Sequence, residues 1–115
     1  MKKFPILISV IFLLMFASHA FAHPPSDIVF NFDPQNNVLS IGVVHMVQDA
    51  QKHFIGNISV KLNGNKWLMQ NFLTQTNLQT QAVGYVVLGL KKGDVIELTA
   101  VCNQKGQLKK EFKIE

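Results

Sequence analysis

Val95-Ile96-Glu97-Leu98-Thr99-Ala100-Val101-Cys102 alternates with period two, placing Ile96, Leu98, Ala100 and Cys102 on one face. Successive side chains of a strand point to opposite faces, so this is a strand covered by a core on one side. Working outward, the pattern repeats. Asp27–Phe32 aligns Ile28, Phe30 and Phe32. Val38–Val47 aligns Leu39, Ile41, Val43 and His45, and His53–Leu62 aligns Phe54, Ile58, Val60 and Leu62. Lys66–Leu73, Gln81–Leu88 and Leu108–Ile114 complete the set. Turn residues separate the runs: Asp33-Pro34-Gln35-Asn36-Asn37, Asn63-Gly64-Asn65 and Lys91-Lys92-Gly93-Asp94. Each is rich in residues that tolerate or preset turn conformations. About seven short strands and no helix predict an all-β, immunoglobulin-like antiparallel β-sandwich. The cysteine pair of true immunoglobulin domains is absent, since the chain has one cysteine.

The first residues read differently. Met1-Lys2-Lys3 is a positive head, Ile6–Ala17 an apolar run, and Ala20-Phe21-Ala22 carries small residues at the positions a signal peptidase reads. The run falls short of the ~20 residues a membrane span needs. Residues 1–22 are therefore expected to be a cleaved signal peptide, with a single domain over 23–115 and no membrane span after cleavage. Periplasmic or secreted localisation follows as an expectation.

Without Lys2 and Lys3, nine lysines face seven acids, so the charge of the domain falls from +4 to +2. There is no arginine. A basic stripe of the kind that tracks nucleic acid is missing, and no nucleic-acid partner is expected. No phosphate-cradling glycine loop or serine nucleophile motif is present. An unpaired edge strand would allow a homodimer.

Four residues of the domain can ligate a soft or borderline metal: His23, His45, His53 and Cys102. One cysteine in an exported chain must be buried, paired with another chain, or bound to something. A buried structural thiol is the plain alternative. His45 and His53 flank one inter-strand connection and Cys102 ends its strand, so all three stand at element ends where a site could assemble. Imidazole and thiolate together suit iron, copper or zinc.

The wording around these residues resembles the iron-binding domain of the superoxide reductases, the desulfoferrodoxin and neelaredoxin family. His45-Met46-Val47 and His53-Phe54-Ile55 resemble the family's His-Pro-Met and His-Tyr-Ile stretches. Cys102-Asn103-Gln104-Lys105-Gly106 resembles its Cys-Asn-x-His-Gly turn. The resemblance extends from about His45 to the C-terminus. It implies an immunoglobulin-like sandwich holding a ferrous centre with four equatorial histidines and an axial cysteine. That centre reduces superoxide to hydrogen peroxide at the open sixth position, with electrons from a donor protein. On this pattern His45, His53 and Cys102 are metal ligands.

Three departures stand out. Lys105 occupies the place of the fourth histidine, where its charge would attract the superoxide anion. The gap between His45 and His53 is longer than in the motif. The family's N-terminal Glu-Lys-His segment is replaced by His23-Pro24-Pro25, whose histidine would be a substitute ligand. After cleavage His23 would also offer its α-amine beside its imidazole, a pair that favours Cu(II). The alternatives to catalysis are thus a copper or iron carrier or redox sensor using His23, and a metal-free binding module that kept only the fold.

Overall fold

The computed structural model describes residues 22–115. The expected signal peptide lies, except for Ala22, outside the described residues. Seven strands form in chain order: β1 (Asp27–Asp33), β2 (Val38–Val44), β3 (Ile55–Leu62), β4 (Asn65–Asn71), β5 (Thr80–Val86), β6 (Val95–Cys102) and β7 (Gln107–Lys113). Every pairing is antiparallel. One sheet has the order β1-β2-β5 and the other β4-β3-β6-β7. This is the expected sandwich.

Alternation builds the core. Ile28, Leu39, Ile41, Val43, Ile58, Val60, Ile96, Leu98 and Ala100 are buried on the inner faces of the two sheets. Burying each large aliphatic side chain stabilises the fold by roughly 1.5–3 kcal/mol. The seams are closed by aromatics. Phe30 of β1 stacks on Phe112 of β7 at 5.1 Å, and Trp67 of β4 meets Tyr85 of β5 edge-on at 6.2 Å. Asn63 and Gly64 both take positive φ, 50° and 81°, as a two-residue hairpin of matching twist requires.

Two expectations are corrected. First, β2 ends at Val44 rather than Val47, because its partner β5 begins at Thr80, opposite Val44. His45 therefore lies just past the ladder, its N–H donating to the Gln79 carbonyl. It is nevertheless fully buried. Second, β3 begins at Ile55 rather than His53 and its inner face starts with Ile55, not Phe54. The cause is a bulge: Ile55 pairs with Cys102 and Asn57 with Val101, leaving Gly56 as the extra residue. An extra residue reverses the in–out phase on one side of the bulge. Counting back from Ile55, His53 thus falls in phase with the core face rather than opposite to it.

Antiparallel pairing brings the start of β1, the end of β2 and the start of β5 to one end of their sheet. It likewise brings the start of β3, the end of β6 and the start of β7 together. His45, His53 and Cys102 each continue an inner face at this end.

Candidate metal centre

Local hydrogen bonding fixes each side chain. His53 closes the β2–β3 connection: its N–H donates to the Asp49 carbonyl at 2.9 Å, while Asp49 Oδ1 accepts from the Gln51 N–H. The Cys102 turn is locked to this connection from the other sheet strand. Phe54 N–H donates to Asn103 Oδ1 and Asn103 N–H returns to the Phe54 carbonyl, both at 2.9 Å. Asn103 Nδ2 and Gln104 Nε2 both donate to the Lys52 carbonyl at 3.0 Å. Gly106, with φ 86°, closes the turn as its carbonyl accepts from Cys102 N–H. Pro24 packs directly against Gly106, which brings the segment carrying His23 onto the same turn.

The result is a cluster. The ring centroids of His45 and His53 are 4.7 Å apart, those of His23 and His45 4.9 Å, and those of His23 and His53 5.0 Å. One nitrogen from each lies within 4.8 Å of the others. His53 Nε2 is 3.2 Å from Cys102 Sγ, and the Gln104 N–H also approaches that sulfur, at 3.4 Å. Cys102 is a free, buried thiol. All four residues singled out in the sequence as ligands are therefore drawn to one end of the sandwich. Lys105 shares the Cys102 turn but is exposed, with no hydrogen bond or ion pair among the described residues.

The electrostatics favour a cation. Burial, followed by the neighbouring His45 and His23, holds the His53 imidazole below its ordinary protonation range, which keeps a lone pair available. His45 Nε2 lies 3.1 Å from the His23 carbonyl oxygen. A nitrogen lone pair and a carbonyl oxygen at that distance repel unless a proton or a metal ion lies between them. Three imidazoles and a thiolate form a donor set of the kind that iron, copper and zinc accept. The residues present fit such an ion.

One polar residue of the site was not singled out in the sequence. Gln75, in the polar segment between β4 and β5, is buried, and its Oε1 accepts from His45 Nδ1 at 2.8 Å. Nothing local marked it; only a polar loop that must cover buried imidazoles could have raised it.

No family model and no curated protein matches the chain. Among solved structures, the fold is similar to the superoxide reductase (1Fe-SOR) from Giardia intestinalis, with 17% identity and a TM-score of 0.56. The match covers 83% of this chain and 100% of that one. At this identity the likeness establishes a shared sandwich fold.

Proposed function

We propose that the chain is an exported iron protein resembling superoxide reductase, holding the metal through His45, His53, Cys102 and His23. The observation that carries this reading is the convergence of three imidazoles and one thiol at one end of a sandwich. That sandwich is shared with a superoxide reductase. When bound, iron would supply a one-electron couple, and reducing superoxide to hydrogen peroxide takes one electron and two protons. A donor protein must return the electron.

The chain's own groups have separable parts. Cys102 as thiolate would add electron density, and the buried imidazoles would fix the donor geometry. The turn locked by Asn103 would keep sulfur and His53 in register. Lys105 would attract the superoxide anion across solvent. Localisation to the periplasm or the exterior belongs to the same proposal.

A copper carrier is the second reading. It is favoured because three histidines converge where the family centre uses four, and because cleavage after Ala22 would free the His23 amine.

The test is metal content per chain on protein purified without chelator, followed by superoxide consumption of the iron-loaded form against a free-iron control. Iron near one per chain with turnover supports the reading. Copper retention without turnover favours the carrier. No metal retained after loading overturns both.

A further inference from the structure

We propose that Gln75 is the positioning residue of this centre, holding His45 with its proton on Nδ1 and so leaving its Nε2 free of a proton for the metal. The argument starts from the amide. Gln75 Nε2 donates to the His45 carbonyl at 2.7 Å and to the Asn77 carbonyl at 2.9 Å. Turning the amide over would set its oxygen against two carbonyls and its NH2 against His45 Nδ1. The orientation is thus determined by three contacts at once. Oε1 must then accept, and His45 Nδ1–H must donate, at 2.8 Å. A neutral imidazole has one N–H, so Nε2 keeps its lone pair although it faces the His23 carbonyl oxygen at 3.1 Å, a contact that a cation between the two would relieve.

The placement is specific to His45. Gln75 grips that residue at its ring and at its backbone carbonyl, which restricts both the ring and the chain that carries it. Its loop is docked in turn: Gln75 N–H and Thr74 Oγ1 both donate to the Ala50 carbonyl, on the connection that leads to His53. At 4% exposure, a glutamine that only filled space would be outperformed by an apolar side chain of the same size. A ligating histidine whose second nitrogen donates to a fixed acceptor is held in one tautomer and made more basic. Gln75 supplies that acceptor without adding a charge.

The experiment reads the tautomer and the metal separately. Long-range 1H–15N spectra of the metal-free, 15N-labelled protein at alkaline pH report which nitrogen of His45 is protonated. The expected result is Nδ1–H in the wild type and a mixed or reversed tautomer in Gln75→Leu. Protonation on Nε2 in the wild type, or an unchanged tautomer in a folded Gln75→Leu, overturns the proposal. If Gln75→Leu does not fold, the wild-type spectrum decides alone.

Cobalt(II) titration, followed by its visible absorption, then tests the consequence. Gln75→Leu should bind roughly 10- to 100-fold more weakly than the wild type. Equal affinity in the two would overturn the positioning role. This part rests on the metal reading above. Failure of the wild type to bind cobalt would overturn that reading, while the tautomer result judges Gln75 independently.

Discussion

His53 Nε2 lies 3.2 Å from Cys102 Sγ, across 49 residues of chain. Two features produce this pairing. The Gly56 bulge brings His53 into phase with the core, and the Asn103–Phe54 exchange of hydrogen bonds fixes the cysteine turn beside it. The ring nitrogen and the buried thiol are held this close by the fold alone.

Replacing the sulfur tests that pair. Cys102→Ser keeps the shape of the side chain, so the protein should fold with a loss on the order of 1 kcal/mol. Ferric protein should lose its thiolate-to-iron visible absorption, and iron affinity should fall roughly tenfold or more. Absorption spectra and equilibrium dialysis decide it. Unchanged binding would reduce Cys102 to a structural thiol.

Two glycines with similar backbone angles should behave differently. Gly106 (φ 86°) would place a new Cβ 2.8 Å from Pro24 Cβ, whereas Gly64 (φ 81°) has nothing within 4 Å. Gly64→Ala should cost about 1 kcal/mol from backbone strain and leave metal affinity intact. Gly106→Ala carries the same strain and also displaces the segment bearing His23, so both melting temperature and affinity should drop. Equal affinity in the two variants would show that His23 is not a ligand.

Acid should destabilise the metal-free protein through His53. Its folded value is lowered from 6.5, first by burial and then by the charges of His45 and His23. The unfolded ring takes a proton near 6.5 while the folded ring resists it. Stability is therefore fully present above that value and is lost as pH falls from there to the lower folded value. Melting temperature should decline as pH falls below about 6.5, and His53→Gln should flatten the decline. Parallel curves for the two proteins would contradict the assignment.

One buried polar atom is unpaired. Gln81 Oε1, on the inner face of β5, has no hydrogen-bond partner among the described residues, although Nε2 reaches the Ala82 carbonyl. Gln81→Met removes that amide at similar volume and should raise stability by about 1 kcal/mol, read by chemical denaturation. A loss of stability would mean that the amide is satisfied in solution.

Much of the sandwich could be read from alternation. Val95–Cys102 and Leu39, Ile41 and Val43 predict their inner faces because strand periodicity is local, and Asn63-Gly64 predicts its hairpin because few residue pairs tolerate two positive φ angles. The bulge at Gly56 was not legible. Which residue is skipped depends on the register against β6, so Phe54 rather than Ile55 was expected inside. Gln75 was equally silent, because its role exists only once the β4–β5 segment lies over the β2–β3 connection.

The sequence by itself determined the strand order of apolar faces, the turns between them, and the four residue types able to take a metal, since these follow from side-chain chemistry and period. The tertiary structure alone decided that His23, His45, His53 and Cys102 meet. Their convergence depends on strand register, one bulge and the docking of Pro24 on Gly106, which arise from contacts between segments far apart in the chain.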